Sequence, residues 1–318
     1  MSTTDHTVAD EHRTLTAACG LLDRSERGKL ALTGGEAAAF LQGQVTNDIE
    51  SLLPGQGCYA AFLTHKGKML GDLRVLNTGE ELLLDTERGT LQELFNMIRR
   101  FKLGRDVELL KRTVESGLLS LIGPDARAIA GAGDLAPEEH ANAQGNVAGH
   151  PVVLVATDVG VDVLCAAEAT VEVRAALEAA GAIPVGEPAA EILRVERGRP
   201  RYGVDLDESV IPQEAGLNER AVSFTKGCYV GQETVARLFY RGKPNRRLRG
   251  LRLSGPAEPG AALRLGEKEV GRLASVVTSP VHGPIALAIV RRDAAPGDTV
   301  AVGDGELTAQ VAELPFSR

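Results

Sequence analysis

At 318 residues, with 43% hydrophobic and 25% charged side chains, the chain is too long for one ordinary core and can bury two or three packed units. A formal charge of −8 gives an overall field unfavourable to polyanions, so direct nucleic-acid binding is not expected. No run of about 18 apolar residues offers a membrane-spanning helix, and the four dispersed cysteines (Cys19, Cys58, Cys165, Cys228) have neither metal-ligand spacing nor the density of a secreted disulfide framework.

Residues 1–12 are polar and acidic, without the basic start and apolar stretch of a signal peptide. They read as a frayed tail on a cytoplasmic protein. Residues 28–33 then read as a strand, and Gly34-Gly35-Glu36 opens a helix over 37–42. The turn cluster 52–57 precedes two strands, 58–64 and 69–76. His65-Lys66-Gly67-Lys68 between them suits a hairpin. A strand at 81–85 follows, then a helix over 90–101 with Leu91, Leu94, Phe95 and Ile98 at helical spacing. Strands at 107–110 and 117–122, a helix after Pro124, strands at 152–155 and 161–165, and a helix at 170–180 continue the pattern. Another helix covers 187–198, ending at a C-terminal glycine. Such alternation indicates mixed α+β layers.

After about residue 240 the style changes. Short β-type runs at 248–253, 262–265, 269–275, 285–290 and 299–302 are separated by Gly- and Pro-bearing turns, the signature of a small antiparallel barrel. The expected division is an N-terminal α+β domain (1–115), a second α+β domain (116–240), interwoven with the first, and a C-terminal barrel (241–318).

The chemistry concentrates in residues 191–249. Five of the eleven aromatics, Tyr202, Phe224, Tyr229, Phe239 and Tyr240, fall there. Flat apolar faces beside carboxylates suit a flat heteroaromatic ligand such as a pterin, whose paired N–H donors match one carboxylate. Glu196 is the candidate; the competing reading is a solvated helix residue. Cys228 lies in Lys226-Gly227-Cys228-Tyr229-Val230-Gly231-Gln232-Glu233. Lys226, two residues earlier, would favour its thiolate. The competing reading is a buried thiol in a glycine-bent turn. Arg237, Arg241, Lys243, Arg246, Arg247, Arg249 and Arg252 follow without an intervening acid, an anion site or a solvated strand. Gly131-Ala132-Gly133-Asp134-Leu135-Ala136 matches a dinucleotide fingerprint formally, but Pro137 interrupts the helix it requires.

That octapeptide resembles the signature of the folate-binding YgfZ proteins, relatives of the glycine cleavage T-protein, an aminomethyltransferase. Phe40 to Ile49, Lys66 to Leu70, Arg194 to Gly198, Ile211-Pro212-Gln213 and Arg241 to Leu248 resemble the family's other motifs, in order. The resemblance spans residues 28–310. It implies three lobes around a central channel holding tetrahydrofolate, with Glu196 facing the pterin and Tyr202 and Asp205 in the adjoining loop. Lys226 and Cys228 are its functional pair. Tyr229, Gln232 and Arg241 complete the expected binding set, with arginines after 237 meeting the glutamate tail. Asp72 is the remaining candidate for proton handling, since Gly71-Asp72 stands where the T-protein has an Asp-Asp pair. That departure weakens the case for aminomethyl transfer.

The resemblance thus implies a monomeric, tetrahydrofolate-binding accessory protein. It would support assembly or repair of iron–sulfur enzymes, tRNA-modifying ones included, through transient contact with these clients. A folate-dependent one-carbon transferase and a ligand-free protein scaffold are the alternatives.

Overall fold

A computed structural model describes residues 7–317. Two antiparallel-rich sheets with flanking helices precede a closed six-stranded antiparallel barrel, the fold class expected from the sequence.

The first sheet has five strands in the order Gly57–Leu63, Met69–Asn77, Leu82–Thr86, Gly28–Thr33 and Glu108–Lys111. Leu30, Leu32, Phe62 and Leu73 alternate onto one face. There they meet Phe40 and Leu41 of helix Ala37–Gln42, and Leu94 and Ile98 of helix Leu91–Phe101. The predicted hairpin forms, with Ala61 opposite Asp72 and Tyr59 opposite Arg74.

The second sheet runs Ile183–Pro184, Gly20–Asp23, Ser116–Ile122, Gly160–Ala166, His150–Thr157 and Asn142–Val147. Three of its strands escape the sequence reading, Ile183–Pro184 among them, two residues inside a Gly-flanked connection. Gly20–Asp23 is only four residues, too short to show a period. Asn142–Val147 is an edge strand of Asn, Ala, Gln and Gly, residues poor in β propensity. Gly20–Asp23 pairs in parallel with Ile183–Pro184, which ties the chain's start into this sheet.

One expectation needs correcting at the N-terminus. Residues 1–6 lie outside the described residues, but Val8–Ala17 is a helix rather than a tail. Thr7 caps it, its hydroxyl accepting from the Asp10 N–H while the Asp10 carboxylate reaches back. Its buried side packs on helix Glu187–Glu196.

The barrel closes through Arg246–Leu253, Gly283–Arg291, Lys268–Ser279, Ala262–Leu265, Thr299–Val302 and Leu307–Ala312. The last strand was not expected. It returns to pair with Arg246–Leu253, leaving no free edge.

Candidate functional site

A cavity of about 500 Å³ opens between the two sheets, beside helix Glu187–Glu196 and the loop after it. Its volume is in the range that takes a drug-sized molecule. Tyr59 and Asp72 come from the first sheet, Ser120 and Asp162 from the second, and Leu193, Arg197 and Tyr202 from the helix and loop. No barrel residue lines it.

Asp72 is buried in this wall. Tyr59 donates from its hydroxyl to Asp72 Oδ2 at 2.6 Å. Burial pushes the Asp72 carboxyl up to about 6, against the downward pull of that hydrogen bond. Burial, and then the neighbouring carboxylate, hold the Tyr59 phenol well above its ordinary value. Arg220 lies over the Tyr59 ring, 5.3 Å from its centroid, and pairs with Glu139. The sequence reading missed Tyr59, although the hairpin register brings strand residue 59 diagonal to 72 on one face.

Beneath this pair runs a chain of buried ions. Arg27 holds Asp85 in a two-pronged grip at 2.9 and 3.1 Å, Arg74 bridges Asp85 and Asp162 at 2.6 Å each, and Ser120 donates to Asp162 at 2.6 Å. Burial works against the Asp85 charge, yet the two guanidiniums hold its carboxyl well below the usual range.

Raising the Asp72 pKa has a consequence for stability. Between pH 3.8 and about 6 the folded chain keeps a proton that the unfolded chain has lost, so stability falls as pH rises through that window. Asp72→Asn should therefore match wild type near pH 4 and exceed it by roughly 3 kcal/mol at pH 7. Buried His140, held down to about 3 by desolvation and then by Arg74 and Arg220, gives the opposite slope up to its unfolded value. It is common to both proteins and drops out of the difference. Urea denaturation at the two pH values checks this; an equal gap at both would contradict it.

Gly71 also has a physical account. A Cβ there would sit 2.6 Å from the Phe62 ring and 3.2 Å from Thr90 Cβ, so the strand has no room for a second aspartate.

Of the other expected residues, only Tyr202 joins Asp72 on the wall. Its hydroxyl donates to the Met69 carbonyl at 3.2 Å, and burial pushes its phenol up to about 12. Glu196 does not line the cavity. Its carboxylate, 11% exposed, meets His12 Nε2 at 2.9 Å and the Ser279 hydroxyl, and so joins the N-terminal helix to the barrel. Asp205 is a buried clamp. It accepts from Arg194 at 2.7 Å and from the backbone N–H groups of Arg201 and Ser275.

Lys226 is not placed to polarise Cys228. Its ammonium donates to the carbonyls of Gln42, Val45 and Asn47 at 2.6–2.7 Å and sits over the Tyr229 ring, while burial pushes it down to about 8. Tyr229 is buried in a separate cluster with Leu63, Met69 and Leu217. Cys228 is exposed, which excludes the buried-thiol reading, and it lies outside the cavity wall. Gln232 begins helix Gln232–Arg241 and Arg241 ends it, exposed; neither lines the cavity.

The later arginines are spent elsewhere: Arg246 on Glu214, Arg249 on Glu313. The cavity's cations are instead Arg24, Arg197, Arg199, Arg201 and Arg220, with the deeper Arg27, Arg74 and Arg194. Gly231 explains one glycine of the octapeptide. With φ +83 it closes on the hairpin, where a Cβ would fall 2.5 Å from the Thr64 carbonyl oxygen.

Comparison with known proteins bears on the same architecture. Residues 2–226 match the GCVT N-terminal domain, and residues 246–317 the glycine cleavage T-protein C-terminal barrel domain. A chloroplastic protein of Arabidopsis thaliana named as a candidate transferase is 33% identical over 307 residues, 93% of this chain and 71% of that protein. The aminomethyltransferase of Rubrobacter xylanophilus is 32% identical, covering 98% of this chain and 86% of its own. The crystal structure of the glycine cleavage system aminomethyltransferase T of Bartonella henselae superposes with a TM-score of 0.86 at 24% identity. It covers 98% of this chain and 89% of that one, a likeness of fold.

Proposed function

We propose, since the chain belongs to the glycine cleavage T-protein (GCVT) family, that its cavity binds tetrahydrofolate and that the protein supports iron–sulfur enzymes, tRNA-modifying ones included. The observation that carries the binding claim is the Tyr59–Asp72 pair on the wall of a cavity of about 500 Å³. The residues fit such a ligand. Tyr59, Tyr202, Ile122 and Leu193 offer flat or apolar surface, and the arginines offer partners for carboxylates. Arg220 Nε and His140 Nδ1 are buried on that wall without a hydrogen-bond partner among the described residues, so the wall has polar atoms to spare.

Tetrahydrofolate, when bound, supplies the nitrogens that carry a one-carbon unit. Tyr202 would pack against the ring system, and Tyr59 would fix Asp72 Oδ2, leaving Oδ1 to hold or release a proton near neutral pH. Cys228, exposed and outside the cavity, suits contact with a client. A single thiol cannot hold a cluster that ordinarily takes four, so any sulfur ligation would be shared.

Calorimetric titration with tetrahydrofolate tests the binding. Wild type should bind one equivalent, Tyr202→Ala about tenfold more weakly, and Cys228→Ala unchanged. No saturable binding to wild type sinks the folate reading. Normal iron–sulfur enzyme activity in cells carrying only Cys228→Ala sinks the client role. Asp72 favours a second reading, one-carbon transfer. Turnover of a lipoyl-bound aminomethyl donor by wild type and not by Asp72→Asn would establish it.

A further inference from the structure

His140 is a buried polar group to which the reading above gives no role. Its side chain is buried on the cavity wall, with the residue 6% exposed. Its ring lies 6.5 Å from that of Tyr59. Nδ1 has no hydrogen-bond partner among the described residues. The backbone is held in an unfavourable conformation: φ is +73, and only Ala148 shares a positive φ among the described non-glycine residues. The fold enforces it, the His140 N–H donating to the Ala156 carbonyl at 2.8 Å and the His140 carbonyl accepting from Asn142 Nδ2. A strained residue presenting an unpaired polar atom costs folding stability twice, and sites of binding are where such costs persist.

The neighbours bias what the imidazole presents. Arg74 and Arg220 oppose a positive charge on the ring, while Asp158 and Asp162 favour it more weakly, and burial keeps it neutral. Glu139 Oε1, 3.7 Å from Nε2, is beyond hydrogen-bond reach, but its charge favours the tautomer with the proton on Nε2 and the lone pair on Nδ1. We propose that His140 is a ligand-contacting residue of the cavity, its Nδ1 accepting a hydrogen bond from a ring or exocyclic N–H of a flat heteroaromatic ligand. The ligand class rests on the folate reading above; the identity of the contacting atom is additional to it.

The test titrates tetrahydrofolate against wild type, His140→Phe and His140→Asn, and records the melting midpoint of each without ligand. His140→Phe should bind about tenfold more weakly, the worth of one hydrogen bond; its melting midpoint serves to show that it is folded, since phenylalanine meets the left-handed backbone less well than histidine. His140→Asn keeps an acceptor and tolerates the left-handed backbone, so it should bind within about threefold of wild type. Equal binding by wild type and His140→Phe overturns the proposal. So does an equal loss of binding by His140→Asn and His140→Phe, which would mark a structural role rather than an accepting atom. Failure of wild type to bind overturns the folate reading itself, and the proposal with it.

Discussion

Arg74→Met should lose about 3–5 kcal/mol of folding stability, the largest single effect expected in the molecule. The guanidinium is 13% exposed and bridges Asp85 of the first sheet to Asp162 of the second. Methionine fills similar space but leaves Asp162 with only the Ser120 hydroxyl and Asp85 with only Arg27. Uncompensated buried charge is the expensive outcome, more so than the absence of the pair. Arg74→Met combined with Asp162→Leu should therefore recover part of the loss. Urea denaturation of the four members of this cycle gives the coupling. A single-variant loss below about 1 kcal/mol, or additive losses in the double variant, would show that the bridge is not what holds the sheets.

Lys226→Met comes second, at about 2–4 kcal/mol. The three carbonyls of Gln42, Val45 and Asn47 converge on one ammonium, and methionine returns nothing to them. Relief of the buried charge, visible in the lowered lysine pKa, offsets part of the cost. The same variant examines Cys228. Because the ammonium is engaged by carbonyls, the alkylation rate of Cys228 at fixed pH should change by less than about twofold. A rate that collapses would restore the activating role that sequence proximity suggested.

Proximity of that kind marks what the sequence could and could not convey. The hairpin, the barrel's turns and the helix over 90–101 are local patterns, each written within about a dozen residues, and they fold as read. Asp72 was named through the family resemblance and Tyr202 through the cluster of aromatics, and both line the cavity. Lys226 was assigned from its neighbour in sequence, and Glu196 from the aromatic-rich stretch around it and the family resemblance, whereas their partners lie 179–184 residues away for the lysine and 184 for the His12 contact. A side chain with rotatable bonds satisfies its charge wherever a partner is packed, and spacing carries no record of that. His140 gave no signal at all, since a lone histidine in a polar stretch has neither period nor motif. Gly71, by contrast, was noticed as a departure, and only the Phe62 ring shows why it is one.

The parallel pairing of Gly20–Asp23 with Ile183–Pro184 sets an order of assembly. All strands of the first sheet lie between residues 28 and 111, so that sheet can close while the ribosome is still making the second. The first strand of the chain can pair with Ser116–Ile122 once that strand is made, but its parallel partner comes about 160 residues after it, and a loop of that span closes slowly. Until then Leu21 and Leu22 have no complete sheet to enter, and the N-terminal helix has no Glu187–Glu196 to pack on. Completion of the second sheet thereby waits for residues 183–184, after the strand that carries Asp72 is made and before the barrel, which begins at Arg246.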